Sequence, residues 1–147
     1  MLWDEAEAAL RAHIETQWAL GAYAAIPLAF ENEIEPAAAN YMLVNIEGTH
    51  VDKSIYGGAG ERFSVEGGIV FFHCFVASGG GKQAALAPVV VMTGILELQT
   101  LAGAIKLEGG NPPTPVEHAD PLVPSAQPSG NYYRCSGSVP FVLIGTR

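Results

Sequence analysis

The side chains able to do chemistry in this chain are few and scattered. Four histidines are present: His13, His50, His73 and His118. No two stand at i, i+2 or i, i+4, the spacings that bring two imidazoles onto one metal from a strand or a helix. His73 sits beside Cys74 in Phe71-Phe-His-Cys-Phe75, which invites a reading as a thiol–imidazole pair. Consecutive strand residues face opposite sides, however, so these two cannot act on each other, and a structural role for His73 is the better reading. Cys74 and Cys135 belong to no CxxC pair and to no zinc-spaced cluster. Each lies in an apolar, strand-like run, and they read as two buried free thiols of a cytoplasmic protein.

Other catalytic constellations are equally thin. The glycine runs Gly57-Gly-Ala-Gly60 and Gly79-Gly-Gly81 match neither GxGxxG nor GxxxxGK[ST], because Gln83 follows Lys82. They read as flexible turns. Ser54, Ser78, Ser125, Ser136 and Ser138 have no GxSxG context. Glu31, Glu33 and Glu35 alternate along an extended segment and read as a solvated face, with an intersubunit salt bridge as the other option. These residues give no support for catalysis, for a cofactor or for a metal, so the sequence is read as a binding or assembly protein and not as an enzyme.

The elements that carry these residues follow from periodicity. Trp3, Ala6, Leu10, Ile14 and Trp18 recur at helical spacing, predicting a helix over Trp3–Leu20 with its apolar stripe in the core. Asp4 and Glu7 suggest a variant capping box, and Gly21 a stop. Pro27 makes Ala25–Phe30 an edge strand or an extended connector. Tyr41–Ile46 is a strand with Met42, Val44 and Ile46 on one side. Glu47–Glu61 loses periodicity and reads as a long hairpin tip. Strand character returns over Arg62–Ser78, with a bulge or bend at Gly67-Gly68 and a central, doubly apolar stretch at Ile69–Val76. A second helix is expected over about Lys82–Leu101, with Pro88 forcing a late start or a kink and Gly103 ending it. Ala104–Glu108 is a short strand.

Gly109–Gly130 holds six of the chain's ten prolines, at positions 112, 113, 115, 121, 124 and 128, and reads as a loop that extends and does not pack. Asn131–Ile144 alternates Tyr133, Cys135, Gly137, Val139 and Phe141 against Tyr132, Arg134, Ser136 and Ser138. It reads as the strand that closes the sheet, with Pro140 placing its end at an edge or exit. The expected fold is therefore α+β: one domain over 1–147, a mostly antiparallel sheet of four to five strands, and two helices packed on one face. Long loops fall at about 47–61 and 109–130. The opposite sheet face would carry Phe71, Phe75 and Tyr133, which need a shield, most simply a neighbouring subunit.

Composition agrees with an assembly protein. The chain has 147 residues, 49% of them hydrophobic and 15% charged, and a formal net charge of -8; mean hydropathy is +0.23. So few charges suit a domain that hides part of its surface in a partner. The seven scattered Lys and Arg residues form no basic stripe for gripping nucleic acid. The longest apolar stretch, Ala84–Leu96, is too short to span a bilayer, which takes about 20 residues. The first ten residues, acidic and amphipathic, are unlike a signal peptide.

The order of local signatures resembles a known family. A helix with Leu10 and Trp18 leads into Ile26-Pro-Leu-Ala-Phe-Glu-Asn32, then into the strand Tyr41-Met-Leu-Val-Asn-Ile46. After the glycine-rich arm come Arg62 and Gly68-Ile-Val-Phe-Phe-His-Cys-Phe-Val-Ala-Ser-Gly-Gly-Gly81. A helix and the proline-rich stretch precede Tyr132-Tyr-Arg-Cys-Ser-Gly-Ser-Val-Pro-Phe141. Over nearly the whole chain this is similar to tail terminator (tail completion) proteins of long-tailed bacteriophages and gene transfer agents. The resemblance implies a homohexameric ring at the tail–neck junction of a virion, assembled in the host cytoplasm. Such a ring caps the tail tube, ends its polymerisation and joins it to the head–tail connector or stopper protein. DNA would pass through an acidic lumen without sequence-specific binding, and no membrane is involved. Partner contacts would fall on the two loops: His50, Asp52, Lys53, Tyr56 and Arg62 on one, Glu117, His118 and Asp120 on the other. The alternatives are another neck component, such as a head-completion or connector protein, or a small-molecule-binding α+β domain.

Overall fold

The computed structural model describes residues 3–31, 40–52, 63–77, 82–119 and 132–146. The fold is α+β. Helix α1 (Trp3–Leu20) is followed by β1 (Leu28–Phe30), β2 (Tyr41–Asp52), β3 (Phe63–Ala77), helix α2 (Lys82–Leu96), and then β4 (Thr100–Leu101), β5 (Ile105–Leu107), β6 (Thr114–Ala119) and β7 (Tyr132–Thr146). The strands form one sheet in the order β1-β2-β3-β7-β5-β4, with β6 also pairing β7. Only β1–β2 is parallel; the other pairings are antiparallel. The sheet thus has seven strands where four to five were expected. The extra ones are short, and two of them, β4 and β6, fall in stretches read from sequence as helix and as loop.

Both helices cover one face. Ala6, Leu10, Ile14 and Trp18 of α1 are buried and join one core with Phe72, Cys74, Val89, Met92, Cys135 and Phe141. Fully burying each large apolar side chain contributes about 1.5–3 kcal/mol. The stripe at i, i+4, i+8, i+12 is why Trp3–Leu20 is helical in this context. Asp4 lies inside the first turn and is not its cap; there it complements the positive end of the helix dipole. Gly21 ends the helix, its N–H donating to the Trp18 carbonyl at 3.1 Å. The Trp18 indole N–H donates to the Ile26 carbonyl at 2.9 Å, which ties the α1–β1 connection to the core. His13 Nε2 bonds the Ile95 carbonyl at 3.1 Å and links the two helices.

Three sequence expectations are corrected. Helix α2 runs through Pro88 without a late start but ends at Leu96 and not near Leu101. The continuing stripe toward Leu101 belongs to the β4–β5 hairpin, where Gly103 and Ala102 take positive φ angles of 68° and 51°. Gly103 therefore serves a hairpin turn and does not end a helix. The irregularity expected at Gly67-Gly68 lies across the ladder: pairing shifts between Gly48 and His50, so the extra residue is on β2.

The last strand does not close the sheet. β7 is central, flanked by β3 on one side and by β5 and β6 end to end on the other. Pro140 lies within it, opposite Ile69. A strand residue's N–H and C=O point to the same side, and for Pro140 that side is β5: the Glu108 N–H donates to the Pro140 carbonyl at 2.8 Å. The return bond cannot form because proline has no N–H. The Glu108 carbonyl instead accepts the Leu98 N–H at 3.2 Å, so the missing donor leaves no orphan.

Close approach of β3 and β7 to their neighbours requires glycine at Gly68. A Cβ there would lie 2.4 Å from Phe141 Cζ and 2.8 Å from the Glu47 carbonyl oxygen. The Phe141 ring is itself held by Trp3, stacked at 5.9 Å between centroids. Replacing Gly68 by Ala is expected to destabilise the fold by about 1–3 kcal/mol, read as a lower urea midpoint with unchanged slope; an unchanged midpoint would contradict this packing.

Candidate functional site

The face turned away from the helices is a ruled grid. Cross-strand register sets side chains in rows over β2, β3 and β7. The rows are Tyr41-Phe75-Arg134, Leu43-His73-Ser136, Asn45-Phe71-Ser138 and Glu47-Ile69-Pro140. The chain from Gly110 to Thr114 forms a wall beside it. The Gly110 N–H donates to Glu97 Oε2 at 3.1 Å, the Asn111 N–H to the Ser138 carbonyl at 2.9 Å, and Asn111 Nδ2 to Ser138 Oγ at 2.8 Å. Thr114 then pairs with Ser136 as β6 begins. These parts border an open cavity of about 600 Å³ on the face away from the helices.

Apolar side chains and polar groups alternate across this cavity. Tyr41 and Phe75 stack at 5.1 Å and are buried at one end. His73 Nδ1 and Ser136 Oγ share a hydrogen bond of 2.6 Å. Burial, and then the nearby Arg134 charge, hold the His73 pKa down at about 4, so the ring is neutral at neutral pH. A base this weak activates a hydroxyl poorly, because proton uptake in a reaction needs a pKa nearer the working pH. The pair is better suited to offering fixed hydrogen-bond groups. Asn45 Nδ2 donates to Glu47 Oε1 at 2.6 Å. Arg134 is only 8% exposed, and burial lowers its pKa from the usual guanidinium value.

His73 and Cys74 point to opposite faces, as strand geometry requires. Cys74 instead faces Cys135 across the β3–β7 ladder. Both are buried thiols outside any disulfide, and burial first, then Cys135, push the Cys74 thiol up to about 12, far from reactive. Tyr133, expected on the open face, packs against the helical core. Phe71 and Phe75 do lie on the open face, but Phe75 is fully buried.

The interface residues expected from sequence are described by backbone at most. His50 and Asp52 belong to the end of β2 and Glu117 and His118 to β6, by backbone; their side chains, like Lys53, Tyr56, Arg62 and Asp120, lie outside the described residues. Sequence reading missed Arg134, Asn45 and Asn111. The signal was present in the polar alternation Arg134, Ser136, Ser138, which marks one face of a strand. What it lacked was the partner strand. Among the described residues, no group of three or more His, Cys, Asp or Glu side chains is placed to hold a metal ion, and no helix is long and apolar enough to cross a membrane.

No family model matches the chain, and no curated protein matches it. A solved protein structure whose name states no function is similar over 97% of this chain and 96% of its own, with a TM-score of 0.61 at 14% identity. That likeness is one of fold.

The neutral state of His73 predicts a pH dependence. Its folded pKa lies below the unfolded value, so the unfolded chain binds the proton first. Stability from this group is full above pH 6.5 and falls as pH drops from about 6.5 toward 4. His73→Gln is expected to flatten the decline in melting temperature between pH 6.5 and 5, above most carboxylate titration; an unaltered slope would count against it.

Proposed function

We propose that this chain is a structural virion protein, a ring subunit that caps a tail tube, ends tube polymerisation and joins the tail to the head connector. The reading rests on the ordered signatures from Leu10 to Phe141. One structural observation supports it most. Trp3, the first residue of α1, packs its ring 3.4 Å from the Cβ position of Gly48 and against Phe141. Beyond that level, β2, β3 and β7 continue to Asp52, Phe63 and Thr146 as a projection that β5 flanks as far as Ile144. A fifteen-residue strand such as β7 spans about 50 Å, whereas the eighteen residues of α1 span about 27 Å. A sheet end that extends this far presents surface to be covered by another chain, and Ile144, on the open face of the projection, is 47% exposed. Leu20 and Leu98, at 78% and 77% exposed, add apolar surface elsewhere.

Subunits of such a ring contact each other side to side and use protrusions to grip tube and connector. The acidic chain suits a lumen through which DNA slides without sticking. A second reading, a small-molecule-binding domain, is favoured by one observation, the 600 Å³ cavity with a buried arginine.

The test follows from the pairing of β2. Deleting Thr49–Gly60 would remove His50–Asp52, which pair with β3, so the cleaner variant replaces Ser54–Gly60 by a short Gly-Ser linker. It is expected to keep the circular dichroism and melting temperature of the parent and to lose co-purification with tail-tube protein. A parent chain that stays strictly monomeric by mass in solution and never co-purifies with tube protein would overturn the ring reading.

A further inference from the structure

We infer that the cavity on the open sheet face is a binding site for an elongated small carboxylate, its acid group on Arg134 and a hydrogen-bond donor at its other end near Asn45 and Glu47. The inference does not rest on the ring reading.

The site is chemically incomplete at two points. Arg134 Nε is buried with no hydrogen-bond partner among the described residues. A guanidinium taken out of water is ordinarily paired, because an uncompensated buried charge is costly. Arginine presents a planar fork that fits a carboxylate through two parallel bonds. It is the one cationic side chain lining the cavity among the described residues, since His73 is held neutral. The second point is Asn45 Oδ1, also buried without a partner among the described residues. Its amide cannot be turned to cure this, because Nδ2 already donates to the Glu47 carboxylate and a flip would set two acceptors together. An acceptor beside a carboxylate calls for an N–H, an O–H or an ammonium.

The register fixes the spacing between these points. Arg134 stands in the first row on β7 and Asn45 in the third row on β2, two strands across. Strand rise and spacing put their Cα atoms about 16 Å apart. Leu43, Phe71 and the neutral His73 ring lie between, which suits a hydrocarbon middle. An ω-amino or ω-hydroxy acid has this order of groups: acid, methylenes, donor.

The experiment uses the full chain with 6-aminohexanoate, hexanoate and hexylamine as probes. The side-chain Nε–Hε resonance of Arg134 is followed by NMR during titration. It is expected to shift saturably with 6-aminohexanoate, more weakly with hexanoate, and not with hexylamine. Asn45→Ala should bring 6-aminohexanoate down to the level of hexanoate. Arg134→Gln, read by calorimetric titration because it lacks the reporter group, should weaken binding by about tenfold or more, and Arg134→Lys, which keeps the charge but loses the fork, should weaken it less by the same measurement. The resonance of the parent chain reports even if these variants fail to fold. No shift with any probe, the same shift with chloride alone, or a shift that follows protein concentration in place of probe (a carboxylate from a second copy) would each overturn the proposal.

Discussion

The β3–β7 ladder is the constraint on which the rest of the structure depends. Fifteen residues of each strand pair in one register, and on the helix side that register matches size against size. Gly68 meets Phe141, Phe72 meets Gly137, and Cys74 meets Cys135. A Cβ on Gly137 would lie 2.5 Å from the Phe72 ring and 2.9 Å from Val89, so the same glycine sets how closely α2 approaches the sheet. On the opposite side the identical register aligns Phe75 with Arg134, His73 with Ser136 and Phe71 with Ser138. One alignment thus builds both the dry core and the polar cavity. β2 hangs on β3, and β5 and β6 hang on β7.

Local pattern made much of this legible. The α1 stripe, the alternation of β2 and of β7, the doubly apolar centre of β3 and the buried thiols all follow from period and residue type. What was not legible depends on partners distant in sequence. Nothing near β7 reveals that it lies inside the sheet, because its flanking strands come from residues about 65 and about 35 positions upstream and are long-range pairings. The end of α2 was misplaced because an apolar stripe continues into β4, and a glycine serves a hairpin turn as readily as a helix stop. β6 was hidden by proline: Pro115 pairs at the flank of β7, where an edge strand tolerates it. The cavity was hidden for a simpler reason. Arg134, His73 and Asn45 come from three strands, and each alone has an ordinary structural reading.

The two faces have different electrostatics. The helix side is sealed, and its Cys74 thiol is held protonated. The open side keeps Arg134 in its cavity, next to an imidazole that the same cation helps to keep uncharged. Glu47 at the other end is exposed, so the cavity is polarised along its length. The proposed ring contacts involve the far end of the sheet and the loops, whereas the cavity lies over its middle rows. A ring subunit and a ligand site are therefore compatible on one chain.

Pro140 has a consequence for how the chain finds this arrangement. A long strand of repeating alternation is prone to slippage by two residues, which preserves which side chains face in and out. Such a slip on the β5 side would set Pro140 opposite Lys106, which faces Val142 in the native pairing. The Lys106 carbonyl would then meet a residue with no proton to give, at a cost of about 1–3 kcal/mol for the stranded group. In the native alignment that deficit falls where β5 has ended and Leu98 supplies the proton instead. The proline thus works as a proofreading mark against a slip in that direction.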